Sequence, residues 1–131
     1  MIKRVHVVFK THLDIGFTDL AAKTVERYYT QFIPHAVEVA ARLRSRGGRE
    51  HFVWTPGSWL IKSYLEQADE AGRSALARAI AHGDIAWHGL PFTTHTELMD
   101  QQLVRYALSL SKTLDDRFSK KTIAAKMTDV P

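Results

Sequence analysis

Cysteine is absent from all 131 residues of the sequence. The chain therefore has no disulfide framework, no thiol nucleophile and no cysteine-based zinc site. Any bound metal ion must be held by histidine, aspartate or glutamate side chains.

Long apolar runs are also missing. No stretch approaches the roughly 18 apolar residues of a membrane-spanning helix. Near the N-terminus, Lys10 and Asp14 interrupt the apolar residues that follow Val5, which breaks the core of a secretory signal peptide. We therefore expect a soluble protein of the cytoplasm with no membrane partner.

A strong excess of one charge is lacking as well. Lysine and arginine number 18 against 14 aspartates and glutamates, which gives a net charge of +4. The basic residues concentrate at 42–49, at the end of a predicted helix, where cations suit the carbonyl end of the helix dipole. A nucleic-acid-binding protein usually carries a stronger basic stripe, so we expect no nucleic-acid partner.

Short apolar runs alternate with helical patterns along the chain. Strands are predicted at 5–9, 51–54, 85–87 and 122–127. Helices are predicted at 19–46, 59–67, 73–81 and 97–118, with Pro34 interrupting the first. This alternation favours β-α-β units with a parallel sheet, so we expect one α/β domain over residues 1–131. Because the last strand runs into Asp-Val-Pro as into a loop, we expect this domain to be the N-terminal part of a longer one.

Candidate functional residues lie at the ends of the predicted strands or just after them. They are His12 and Asp14, Trp54, Trp87 and His88, and Asp129. Ligands of parallel α/β proteins bind outside the carboxyl ends of the strands, which lie along one edge. We therefore expect these residues to lie at one rim of the sheet.

The motif His12-Leu13-Asp14 has the spacing of side chains that point to the same side of an extended backbone. An imidazole nitrogen and a carboxylate oxygen at about 2.0–2.2 Å suit a zinc ion. Asp129 would add a second carboxylate across the rim. The sequence predicts a site for one zinc ion held by His12, Asp14 and Asp129; the alternative is a polar loop pair that binds no metal.

Aromatic residues flank the same strand ends: Phe17, Trp54, Trp59, Trp87 and Phe92. Aromatic faces stack on the apolar faces of sugars, so these residues favour a carbohydrate site. The alternative for each of them is core packing. His88 is either a substrate contact or the partner of a nearby carboxylate or backbone group.

Taken in order, these motifs resemble the N-terminal catalytic domain of glycoside hydrolase family 38, the α-mannosidases. The opening motif of the family, His-x-His-x-Asp-Pro-Gly-Trp, appears here as Lys-Thr-His-Leu-Asp-Ile-Gly-Phe at 10–17. A later motif of the family, Asp-Pro-Phe-Gly-His, begins here as Asp-Val-Pro at 129–131. The resemblance covers essentially the whole chain. It implies about the first half of a seven-stranded, parallel-sheet β/α barrel-like fold.

The resemblance also implies a zinc-dependent, retaining glycoside hydrolase. It makes His12 and Asp14 zinc ligands, Asp129 both a zinc ligand and the catalytic nucleophile, and Phe17 the aromatic platform beside the sugar. In such enzymes zinc holds vicinal hydroxyls of the mannose-like ring while the nucleophile forms a covalent glycosyl-enzyme. The general acid and a further zinc-binding histidine of the family lie beyond Pro131. We therefore expect the segment to bind carbohydrate, to need the rest of its catalytic domain as partner, and to be inactive alone.

Three positions depart from the pattern of the family, since Lys10 stands for histidine, Ile15 for proline and Phe17 for tryptophan. These changes indicate a divergent branch and leave two alternatives open. One is a metal-dependent polysaccharide deacetylase, although the sequence has no second pair of histidines at i and i+4. The other is a carbohydrate-binding or scaffold protein that has lost catalytic activity.

Overall fold

The structure is a computed structural model that describes residues 1–3, 5, 7 and 9–127, with the backbone alone at 9 and 10. Its α-helices are α1 (Ala21–Arg27), α2 (Ile33–Ser45), α3 (Ser58–Gln67), α4 (Glu70–His82) and α5 (Gln101–Phe118). Its strands are β1 (Phe9–Lys10) and β2 (Trp54–Thr55), which pair in parallel. In this part of the chain no helix is long and apolar enough to cross a membrane.

The predicted α/β fold, a parallel-sheet β/α barrel, is wrong. Helix takes up 57% of the structure and strand only 4%. Each strand is two residues long, Ile85 adds a single parallel bridge to Trp54, and the described residues 122–127 form no strand. A pair this short cannot form a stable sheet by itself.

The apolar run at the N-terminus shows why the strand prediction failed. Val5 and Val7 are 75% and 74% exposed, so no layer of structure covers them. β-Branched residues favour strands when cross-strand and same-face neighbours bury them, rather than through the backbone alone. Val5 and Val7, which stay exposed, therefore belong to no strand.

The core is built mainly by the helices. α3 contacts both α4 and α5, and α2 contacts α4. The largest fully buried side chains of the described residues include Ile33, Leu60, Ile61, Leu76, Ile80 and Leu114. Full burial of an isoleucine or leucine side chain is worth about 1.5–3 kcal/mol, so this helical core supplies the main stabilisation.

Capping side chains set where two helices begin. The Asp69 carboxylate accepts a hydrogen bond from Gly72 N at 2.8 Å, so α4 begins at Glu70 rather than at the predicted residue 73. The Asp100 carboxylate accepts one from Leu103 N at 2.7 Å and begins α5. The predicted helical residues just before Asp100 form instead a short 3₁₀ turn, Thr96–Leu98.

Pro34 has the predicted disruptive effect on the first long helix. A π-helical turn, Tyr28–Phe32, separates α1 from α2, and Pro34 lies in the first turn of α2. Proline has no N–H to donate and its ring crowds the carbonyl four residues earlier. The wider π-helical turn before Pro34 accommodates both the missing N–H and the bulk of the proline ring.

Asp115 ties α5 to the segment that follows it. One carboxylate oxygen accepts hydrogen bonds from Trp87 Nε1 at 3.0 Å and from the Thr122 hydroxyl at 2.8 Å. The other accepts from Thr122 N at 2.7 Å. The carboxylate therefore fixes Trp87 and the chain after α5 to the same helix.

The Asp115→Ala variant should unfold at a lower urea concentration than the wild-type chain. It leaves Trp87 Nε1 and Thr122 N without their acceptor, and we expect a loss of about 1–2 kcal/mol in the free energy of unfolding. Asp116→Ala is the matched control, because Asp116 only pairs with Lys112 on the exposed face of α5. Equal urea midpoints for the two variants would show that Asp115 has no such anchoring role.

Candidate functional site

The loop after β1 brings His12 and Asp14 into direct contact. His12 Nε2 lies 2.6 Å from Asp14 Oδ1, and the imidazole is the more buried of the two side chains. The Asp14 carboxylate and the His12 imidazole therefore lie within ion-pairing distance. Both residues are predicted from the sequence to be zinc ligands.

Thr93 contacts the other nitrogen of the same imidazole. Its hydroxyl lies 3.0 Å from His12 Nδ1, although 81 residues separate the two positions. A hydroxyl both donates and accepts, so Thr93 satisfies Nδ1 whether or not that nitrogen carries a proton. Nε2 can therefore bind a metal ion while Nδ1 keeps its partner, as is usual for histidines that bind metals.

A cavity of about 530 Å³ opens beside this pair, which we call the His12 pocket. It is lined by His12, Leu13, Asp14, Ile15, Phe17, Phe92, Thr93 and His95. The volume is within the usual range for small-molecule sites. Phe17 is 83% exposed, and Gly16, at a φ of +86°, makes the turn between it and the Asp14 loop.

The far wall of the pocket is held by the beginning of α3. Ser58 N and Trp59 N donate to the carbonyls of Leu90 and Pro91, each at 3.1 Å. The first backbone N–H groups of a helix have no acceptor within the helix. The carbonyls of Leu90 and Pro91 supply acceptors for two of these N–H groups in α3. They fix the segment that supplies Phe92, Thr93 and His95.

The near wall is held by β2. Trp54 Nε1 donates to the Thr11 hydroxyl, next to His12. The charge of Asp14 also acts on Tyr28 in the π-helical turn. Partial burial, followed by the charge of Asp14, raises the pKa of the Tyr28 hydroxyl. Tyr28 therefore stays protonated and neutral beside Asp14 at physiological pH.

A second histidine–carboxylate pair, which sequence reasoning missed, lies at the same pocket. His95 Nδ1 is 3.0 Å from Glu97 Oε1. A hydrogen bond from its own backbone, followed by the contact with His95, lowers the pKa of Glu97. The signal was present in the sequence, because His95-Thr96-Glu97 repeats the histidine-x-acid spacing of 12–14.

The other predicted substrate contacts lie in the interior. Trp54 and Trp87 are each 6% exposed and belong to the hydrophobic core, and His88 is 7% exposed. The two tryptophans therefore pack in the core, which is the alternative to sugar binding that the sequence left open. Among the five aromatic residues, Phe17 and Phe92 line the His12 pocket, and Trp59 packs edge-on against Phe92 at a centroid distance of 6.1 Å.

The residues present supply two of the donors that a zinc ion needs. Within the described part of the chain, no group of three or more histidine, aspartate or glutamate side chains is arranged to hold a metal ion. Two ligands of a tetrahedral zinc ion lie about 3.4 Å apart, so the contact between His12 and Asp14 would open by under 1 Å to admit the ion. The third predicted ligand, Asp129, which is also the predicted nucleophile, lies outside the described residues.

No protein-family model, curated protein or solved structure matches this chain.

The Gly57→Ala variant should disturb the far wall of the pocket. A Cβ at this position would lie 2.1 Å from the Pro91 carbonyl oxygen, so the backbone of one segment must move. We expect a loss of about 1–3 kcal/mol in the free energy of unfolding and the disappearance of the His12–Thr93 proximity in nuclear Overhauser spectra.

Gly48→Ala makes the same chemical change at a tolerant position. Its Cβ would meet the end of the Glu50 side chain, which can rotate away. Retention of the His12–Thr93 proximity in Gly57→Ala would contradict the dependence of the pocket on this close approach.

Proposed function

We propose that the His12 pocket is part of a zinc-dependent carbohydrate site in a retaining glycoside hydrolase of the α-mannosidase type. The observation that carries the proposal is the contact of His12 Nε2 with Asp14 Oδ1 beside the exposed ring of Phe17. These residues hold the positions that the resemblance assigns to two zinc ligands and the sugar platform. The proposal depends on this local geometry and not on a barrel.

His12 and Asp14 would hold the zinc ion through Nε2 and a carboxylate oxygen. Thr93 keeps the imidazole in position from its other side. Mutation of such supporting contacts in metal sites typically costs 10–100-fold in affinity or activity. When bound, zinc would supply coordination for two neighbouring sugar hydroxyls and orient the ring.

Phe17 offers a flat apolar surface at the opening of the pocket. A pyranose ring has one face rich in C–H groups, which pack favourably on an aromatic ring while its hydroxyls reach polar partners at the edge. Phe92 adds a second aromatic surface from the far wall. The pocket thus combines apolar walls with a few polar groups, the usual composition of a small-molecule site.

Asp129 remains the proposed nucleophile and third zinc ligand, on the resemblance alone. Its carboxylate would attack the anomeric carbon as the glycosidic oxygen leaves with a proton from a second carboxyl group. That second group is expected beyond Pro131, so we propose binding without turnover for the 131-residue chain. We further propose a cytoplasmic location.

Zinc titration by isothermal calorimetry tests the proposal. We expect about one ion per chain, and at least tenfold weaker binding in His12→Ala and in Asp14→Asn, because each removes one of few donors. Asp129→Asn tests the third donor in the same assay, and we expect a similar loss.

His35→Ala is the matched control, since His35 is an exposed histidine that pairs with Glu38 on α2 and does not line the His12 pocket. Its zinc affinity should equal that of the wild-type chain. The proposal fails if the chain binds no zinc, or if His12→Ala weakens binding no more than His35→Ala does.

A further inference from the structure

We infer that His95, oriented by Glu97, contacts the sugar in the His12 pocket. The inference rests on the proposed function, because it takes the ligand of the pocket to be a carbohydrate. It assigns the sugar contact to His95 and a positioning role to Glu97.

The first support is the location of the pair. His95 lines the same cavity as His12 and Asp14. The side chains of His95 and Glu97 are each about half exposed, at 53% and 48%, so both the imidazole and the carboxylate are accessible to a ligand. The pair therefore lies at the opening of the pocket rather than in the core.

The second support is the tautomer that Glu97 imposes. A carboxylate with a lowered pKa is ionised at neutral pH and accepts hydrogen bonds only. His95 Nδ1, 3.0 Å from Glu97 Oε1, must therefore be the nitrogen that carries the proton. In the neutral ring this leaves a lone pair on Nε2, which can accept a hydrogen bond from a sugar hydroxyl.

The third support is that one segment supplies several walls of the site. Phe92, Thr93 and His95 all line the pocket, and Thr93 contacts His12 from this segment. Leu98 N donates to the His95 carbonyl at 3.1 Å, which anchors the histidine at the start of the 3₁₀ turn. A sugar that stacks on Phe17 or Phe92 would thus find His95 on a segment already fixed to the zinc-binding histidine.

The test is a titration of the zinc-loaded chain with methyl α-mannopyranoside, followed by NMR of the histidine rings. We expect the His95 ring signals to shift on binding. In His95→Ala the affinity for the mannoside should fall about five- to tenfold, the effect of one lost hydrogen bond, while zinc affinity stays unchanged.

Two variants of Glu97 separate positioning from a general structural effect. Glu97→Ala should weaken mannoside binding and let the ¹⁵N shifts of His95 report a mixture of both tautomers. Glu97→Gln should restore wild-type behaviour, because its amide oxygen can still accept from Nδ1. His35→Ala, which changes a paired histidine outside the pocket, should bind the mannoside as the wild-type chain does.

The two proposals fail in different ways. A chain that binds no zinc contradicts the proposed function. A zinc-loaded chain in which wild type and His95→Ala bind the mannoside equally overturns the role of His95 alone.

Discussion

The hydrogen bonds from the start of α3 to the carbonyls of Leu90 and Pro91 are the constraint on which the pocket depends. They are possible because Gly57 has no side chain to collide with Pro91. His88 N adds a bond to the Pro56 carbonyl just before this point, so the two segments run side by side. Everything that the far wall contributes, including the contact of Thr93 with His12, follows from this close backbone approach.

Much of the helical structure could be predicted from the sequence because each helix carries an apolar face of period 3.6. α3, for instance, was expected at 59–67 and extends over Ser58–Gln67. The starts of α4 and α5 were missed because their caps, Asp69 and Asp100, were not used as start signals. The strands could not be judged in the same way, because a short run of valines becomes a strand only when other segments cover it.

The site was predictable where its chemistry is local. His12 and Asp14 are two residues apart, so their meeting needs only an extended loop. Thr93 carries no sequence signal at all, because its role depends on a contact across 81 residues. The aromatic residues illustrate the same limit. Trp54 ends a predicted strand and Phe17 lies in the loop after one, yet Trp54 lies in the core and Phe17 is exposed. Only the packing of the helices decides which ring is free to meet a ligand.

The helical architecture and the proposed site are compatible because they depend on different constraints. The fold is decided by which apolar faces bury one another, whereas a ligand site needs a few side chains at fixed positions. Here those positions are set by the turn at Gly16 in the loop after β1, and by the hydrogen bonds from the start of α3 to the segment that carries Phe92 and Thr93. Neither feature requires a closed barrel. The two segments that line the pocket meet only in the folded chain. A ligand that contacts both therefore binds the folded state alone and stabilises it. Binding to this pocket and the stability of the helical core are therefore coupled, because the hydrogen bonds beside Gly57 join the start of α3 to the far wall of the pocket.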